Sequence, residues 1–292
     1  MYGMHRADIL HILADGLPPG VVRTSRKCVS VEQTDEYAEL RFEDGETARV
    51  DAVIAADGIK SALQLQVADS EQPEYAGYRA YRGLIAREKL AEWDDRTHQV
   101  WMGDGKHFMV FPVRSGRLLN YVGFVPTASE TVESWSATGD RDELANEFAD
   151  WDPRVTDLLS RIESCFWWGL YDRRPLSNWV SGRLALLGDA AHPMLPHLGQ
   201  GANQAIEDGV AVAVLLEGRT SSEVPAALRA YQSLRKPRTD VIQAEARRNG
   251  HRYDSRYEDL AQRDSEIREA AIALRRSLYD YDVEQAAQEM RK

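Results

Sequence analysis

One stretch constrains this chain more than any other: Leu184 to Asp208, LALLGDAAHPMLPHLGQGANQAIED. Arg183 to Leu187 is short, apolar and bounded by Gly182 and Gly188, the pattern of a strand buried on both faces. Asp189 then falls at the end of that strand. From Gly201 onward Ala202, Ala205, Ile206, Val210, Ala213 and Val214 recur at helical spacing, which predicts a helix from near Gly199 to about Leu216.

The first turn of such a helix leaves several backbone N–H groups without intrahelical acceptors, and the helix dipole makes them attractive to electron-rich oxygens. Glycines at 199 and 201 let a ligand approach the backbone. An ionised Asp189 only accepts hydrogen bonds, so it suits the hydroxyls of a sugar or sugar alcohol rather than phosphate. Together these features point to a polyol carrying an acceptor-rich head. Taken alone, an Asp after a strand is as readily a helix cap, and His192-Pro193 an ordinary turn.

Two further segments carry the same character. Val50 to Ala56 is a β-prone run following a hairpin turn at Glu43-Asp44-Gly45, and Asp57-Gly58 turns the chain as the strand ends. Near the start, Ile9, Leu10, Ile12 and Leu13 predict a helix that Pro18-Pro19-Gly20 stops.

The run from Gly188-Asp189 through His192-Pro193 to Gly199-Gln-Gly-Ala-Asn203 and Glu207-Asp208 resembles the second FAD motif of single-component aromatic-ring hydroxylases of the salicylate hydroxylase-like type. Val53-Ile-Ala-Ala-Asp57-Gly58-Ile-Lys-Ser61 is similar to the Asp-Gly motif of that family, placed near FAD and proposed to serve NAD(P)H as well. His5-Arg6-Ala-Asp-Ile-Leu10 looks like its Arg-x-Asp-Leu helix. The resemblance implies that Asp189 binds the ribityl chain of FAD, that Gly199, Gln200, Gly201, Ala202 and Asn203 meet the pyrimidine end of the flavin, and that Pro193 contacts the cofactor. It also implies cofactor contacts for Arg6, Asp57, Gly58 and Val29. The implied reaction hydroxylates a small phenolic or carboxylated aromatic ring with O2, electrons reaching FAD from NAD(P)H.

Members of this family open with a Gly-x-Gly-x-x-Gly strand-turn-helix that grips the FAD pyrophosphate. The present sequence has none. Two readings follow: an FAD-dependent monooxygenase whose first βαβ unit is missing from the sequence, or a non-catalytic remnant with weak or no FAD binding. An FAD-dependent halogenase or a ring-reducing relative is a lesser alternative.

Between the cofactor motifs, Ala68 to Ser177 holds six of the seven tryptophans. Tyr78–Ala86, His98–Met102, His107–Val113 and Leu118–Val125 alternate as strands of an antiparallel sheet, with a turn at Gly103-Asp-Gly105 and covering helices near Asp140–Phe148 and Arg154–Ile162. Gly77-Tyr78-Arg79-Ala80-Tyr81-Arg82-Gly83 resembles a strand of the family's substrate domain. Tyr78, Tyr81 and Arg82 are the substrate candidates: Arg offers a planar fork to a carboxylate, and Tyr packs against a ring. Tyr81 and His107 are the candidate catalytic groups. Aromatics alternating on a strand also serve as core or cross-strand pairs.

The predicted fold is therefore α/β: an FAD-binding Rossmann-like domain, incomplete at its N-terminus (1–67 and 178–248), an inserted mainly antiparallel β-sheet substrate domain (68–177), and a C-terminal helical segment (249–292). In that segment Ile267, Ala271, Leu274 and Leu278 follow helical spacing, as in an amphipathic helix packing on the body or on a partner.

A net charge of −11 argues against a nucleic-acid surface. Cys28 and Cys165 form neither a disulfide framework nor a zinc pattern, and no metal site is expected. With no signal-peptide pattern and no long apolar span, a cytoplasmic protein without a membrane partner is expected, a homodimer being left open.

Overall fold

The computed structural model describes residues 3–69, 72–90, 92, 93, 96–103, 105–127 and 137–291. Asp104 of the expected 103–105 turn and Trp135 lie outside the described residues. The first half of the chain forms α1 (Arg6–Asp15), β1 (Cys28–Gln33), β2 (Ala38–Phe42), β3 (Thr47–Val50), β4 (Val53–Ala55), β5 (Glu74–Ala86), β6 (Gln99–Gly103), β7 (Lys106–Val113), β8 (Leu118–Pro126) and β9 (Ala137–Gly139). Then come α2 (Arg141–Glu147), α3 (Pro153–Arg161), β10 (Cys165–Asp172), β11 (Val180–Ser181), β12 (Leu184–Leu186), α4 (Gly201–Leu216), α5 (Val224–Asp254), α6 (Leu260–Tyr279) and α7 (Val283–Arg291).

Two compact units result. One comprises Met1–Arg23, Tyr75–Tyr171 and Tyr253–Glu258; the other Thr24–Glu74, Asp172–Arg252 and Asp259–Lys292. Sequence pattern groups 1–67 with the cofactor segment. The structure instead clusters α1 with the larger sheet, where Arg114 grips the Asp8 carboxylate through Nε at 2.9 Å and Nη2 at 2.7 Å.

The first unit is built on a six-stranded sheet of order β6-β7-β8-β5-β10-β9. Its β6-β7, β7-β8 and β5-β8 pairs are antiparallel, as the alternation predicts. Register assigns the side chains to faces. Ala80, Phe124 and His107 oppose one another across three strands, so they share a face with Tyr78 and Arg82. Tyr81, Gly123 and Phe108 share the opposite face, which packs with Leu144, Phe148, Val155 and Leu158 of the α2 and α3 region in one apolar core. Gly83 is required there, because a Cβ would stand 2.2 Å from the Tyr121 hydroxyl. Helix α2 starts where Asp140 accepts from the amides of Asp142 and Glu143, and α3 where Asp152 accepts from that of Arg154, with Pro153 opening the helix.

The second unit holds two three-stranded sheets, β1-β2-β3 and β11-β12-β4. The Glu43–Gly45 hairpin forms as expected, with Gly45 at φ 86°. The Val50–Ala56 run, expected as one strand, is two: β3 pairs antiparallel with β2, and β4 pairs parallel with β12. The break falls at Asp51, whose carbonyl accepts from the buried Arg183 guanidinium at 2.9 Å. Leu184, Ala185 and Leu186 are fully buried, as a strand covered on both faces requires, and pack in one core with Trp179, Ala211, Leu215, Leu228, Tyr231 and Ala287. The tail forms two helices rather than one. The Asp282 carboxylate accepts from the Gln285 amide and starts α7, which contributes Ala287 to that core, whereas α6 has no buried residue. No helix among the described residues is long and apolar enough to cross a membrane.

Candidate functional site

Leu186 and Ala55 are register partners on the parallel strands β12 and β4, and the Leu187 amide donates to the Ala55 carbonyl at 2.9 Å. The Asp57-Gly58 and Gly188-Asp189 turns therefore leave the carboxyl ends of neighbouring parallel strands, the end where open α/β sheets bind ligands. Motifs about 130 residues apart in sequence meet here by strand pairing alone.

The Asp189 turn is firmly held. Gly188 adopts φ 60°, and a Cβ there would lie 3.2 Å from the Ala205 Cβ, so the turn packs closely on α4. The Gly188 amide donates to Asp208 Oδ2 at 3.1 Å, His192 Nε2 pairs with the same oxygen at 2.5 Å, and Arg235 Nε donates to Asp208 Oδ1 at 2.8 Å. All three side chains are buried. Burial alone would raise the Asp208 pKa, yet the bonds from His192 and Arg235 outweigh it and hold the carboxyl below its ordinary range. Glu207 accepts from Arg235 Nη1 at 2.6 Å and from Arg238 Nε at 2.8 Å, so two arginines meet two carboxylates beneath the start of α4.

Asp189 itself is exposed. Gly199 takes φ 62° in exposed backbone with nothing within 4 Å of where a Cβ would be, and Gln200, at the N-cap of α4, makes no side-chain cap. The first-turn amides of Gly201, Ala202 and Asn203 have no intrahelical acceptors. A Cβ on Gly201 would lie 3.9 Å from Asp189 Oδ1, so an acceptor-only carboxylate adjoins a cluster of backbone donors. This donor and acceptor set fits a ribityl chain continuing into the carbonyl-rich end of a flavin. Pro193 is buried, and its carbonyl accepts from Gln243 Nε2 at 2.6 Å.

The Asp57 turn is lighter. Asp57 Oδ2 accepts from the Ala62 amide at 2.9 Å, Gly58 sits at φ 85°, and the Arg173 Nη2 donates to the Ile59 carbonyl at 2.9 Å. Arg173 is 5% exposed, and its Nε and Nη1 make no hydrogen bond among the described residues; burial lowers its pKa.

On the six-stranded sheet, Tyr78, Arg82 and His107 lie on one face. The Arg82 guanidinium stacks 4.8 Å from the Trp168 ring centre; burial and, secondarily, the charge of Arg6 lower its pKa. His107 is fully buried, stacked on Phe124 at 4.2 Å, with its Nδ1 2.6 Å from Asp254 Oδ1. Burial first, then the Asp254 carboxylate beside it, push the Tyr78 hydroxyl up to about 12. Tyr81 does not join them. It is 1% exposed on the opposite face, where burial raises its pKa to about 12, and its hydroxyl accepts from Arg79 Nη1 at 2.8 Å. Its expected place beside Tyr78 and Arg82 is corrected by strand parity, since residues three apart on a strand point to opposite faces.

A family model described as FAD binding domain matches residues 7–246. The chain belongs to that family. It is 37% identical over 253 residues to the 3-amino-4-hydroxybenzoate 2-monooxygenase PtmB3 of Streptomyces platensis, covering 86% of this chain and 63% of the relative. A salicylate hydroxylase of Pseudomonas putida is 35% identical over 277 residues, with 87% and 63% covered. Among solved structures, a salicylate hydroxylase substrate complex superposes with a TM-score of 0.85 at 33% identity, covering 98% of this chain and 75% of that one. The chain thus spans 63% of the length of these curated relatives.

Within the FAD-binding family frame, Asp57, Gly58, Asp189, Pro193 and Gly199 to Asn203 all fall in the β4-β12-α4 region of one unit. Arg6 stands at the exposed start of α1 in the other unit, and Val29 is an exposed residue of β1 in the separate β1-β2-β3 sheet. Sequence reasoning gave no role to Arg173, Arg235, Gln243 or Asp254. Helix α5 carries three of them, Arg235, Gln243 and Asp254, and it also sends Tyr231 Oη to the Leu186 carbonyl at 3.0 Å and Asn249 Nδ2 to that of His197 at 2.8 Å. The available signal was their spacing, 231, 235, 243 and 249, which keeps them near one side of a helix.

Proposed function

We propose that the protein acts as an FAD-dependent monooxygenase that hydroxylates a small phenolic or carboxylated aromatic, with NAD(P)H and O2 as co-substrates. The observation carrying this reading is the exposed Asp189 carboxylate beside the uncapped start of α4, at the carboxyl ends of two paired parallel strands. Bound there, FAD would supply the redox and oxygen chemistry. Asp189 would accept from ribityl hydroxyls, and the amides of Gly199 to Asn203 would stabilise negative charge at the pyrimidine end of the reduced flavin.

The substrate is read from the sheet face that carries Tyr78, Arg82 and His107. Arg82, braced on Trp168, offers a fork to a ring carboxylate; His107 is the group suited to take a phenolic proton. The relatives named above act on aminohydroxybenzoate and salicylate, both of which carry a carboxylate and a phenol.

The test is to express the chain, titrate it with FAD and follow NADH and NADPH oxidation with salicylate and 3-amino-4-hydroxybenzoate. Bound flavin with substrate-stimulated oxidation and a hydroxylated product is expected. A folded chain that takes up no FAD would overturn this reading and favour a non-catalytic remnant.

A further inference from the structure

His107 is fully buried, and its Nδ1 lies 2.6 Å from Asp254 Oδ1 at the C-terminal end of α5. Asp254 is 8% exposed and carries a second neighbour, the Tyr78 hydroxyl. The imidazole is held on a further side by stacking on Phe124 and by an edge contact with Tyr253 at 5.1 Å. The titratable groups facing it include Asp254 and Tyr253 from α5, with Tyr78 reaching the same carboxylate from β5. Among the described residues no arginine or lysine pairs with Asp254.

We propose that Asp254 is a positioning residue that fixes His107 as the Nδ1–H tautomer and so makes Nε2 the acceptor for a substrate phenolic proton; this rests on the hydroxylase reading above. A carboxylate only accepts, so the proton between the two groups belongs to Nδ1 and the lone pair to Nε2. In the step assigned here the phenolic O–H bond breaks, its electron pair stays on the ring oxygen, and the proton forms a new bond to Nε2. The imidazolium so made is stabilised by the Asp254 charge 2.6 Å away. The phenolate donates electron density into the ring, which is what attack by an electrophilic oxygen requires. In hydrolase triads, loss of the corresponding carboxylate leaves the histidine in place but in the wrong tautomer, at a cost of about 10⁴ in rate.

The decisive experiment is ¹⁵N–¹H correlation of the imidazoles in the full chain labelled with ¹⁵N-histidine, His107 being assigned through its contacts to the Phe124 ring. A protonated Nδ1 and a pyridine-like Nε2 are expected; protonation on Nε2 in the wild-type chain overturns the proposal without any variant. In the FAD-loaded chain, Asp254→Asn is expected to lower kcat/KM for salicylate by about 10²- to 10⁴-fold, chiefly in kcat with KM little changed. Tyr78→Phe is expected to leave the tautomer unchanged. Unaltered kcat/KM in a folded Asp254→Asn chain would sink the assignment. A chain that turns over no aromatic would instead defeat the hydroxylase reading while the tautomer stands as measured.

Discussion

The described residues include two buried histidine–aspartate pairs of nearly the same length, and they are built for different ends. His192 and Asp208 meet at 2.5 Å, His107 and Asp254 at 2.6 Å. Asp208 also accepts from the Gly188 amide and from Arg235, so both oxygens of the carboxylate are committed and its charge is balanced. Asp254 has a tyrosine where Asp208 has an arginine. A carboxylate locked against a guanidinium holds its surroundings still, whereas one shared between an imidazole and a phenol leaves its proton partners able to respond to a ligand.

The largest expected effect breaks the locked pair. Asp208→Asn removes the buried charge that Arg235 and His192 both bond, leaving Arg235 only Glu207 as a carboxylate partner, and breaking a buried pair of this kind costs about 3–5 kcal/mol. Denaturant unfolding should show a loss of that size, with FAD affinity falling as the Gly188 turn loses its anchor. Asp254→Asn, which strands no buried cation, should cost about 1–3 kcal/mol. Equal losses at the two sites would erase the distinction.

Acid sharpens the same contrast. The Asp208 pKa is lowered from its ordinary value of 3.8 in the folded chain. A carboxyl of this kind contributes stability that is fully present above the unfolded value and is lost as pH falls through the folded one. The gap in unfolding free energy between wild type and Asp208→Asn should therefore hold from neutral pH to about pH 5 and narrow below about pH 4. Urea melts at a series of pH values measure it; a gap that stays constant through pH 3 would show that the carboxylate charge is not what stabilises this turn.

What could be read without the structure follows from the range of the physics involved. Strand β12 and helix α4 were legible because their periods are local, and the Asp57 and Asp189 turns because each ends a strand. The opposed placement of Tyr78 and Tyr81 was within reach too, since three residues of strand reverse the face; the aromatic pattern suggests one wall where parity makes it two. The partners of Arg173, Arg235 and Asp254 were not legible. The roles of these residues depend on a strand-end carbonyl at Ile59, a carboxylate at Asp208 and an imidazole at His107, partners 27 to 147 residues away. The domain boundaries moved for the same reason, because the Asp8–Arg114 pair that draws α1 to the sheet spans 106 residues.

The smallest effects concern two helical glycines, and they test how firmly α5 holds the turn that the locked pair anchors. In an exposed helix interior, Gly→Ala stabilises by up to about 1 kcal/mol. Gly209 in α4 has nothing within 4 Å of where an added methyl group would sit, so Gly209→Ala should realise that gain in a thermal melt. Gly250 in α5 differs, since a Cβ would stand 2.6 Å from His197 Cδ2, while Asn249 beside it holds the His197 carbonyl. Overpacking of this kind costs about 1–3 kcal/mol, which cancels or exceeds the helical gain. His197 lies two residues before Gly199, so the displaced ring would push on the segment that leads into the α4 donors. Gly250→Ala is therefore expected to weaken FAD binding more than its small stability change accounts for, and Gly209→Ala to leave FAD binding unchanged. If both variants bind FAD like the wild type, α5 supports the fold without governing the turn.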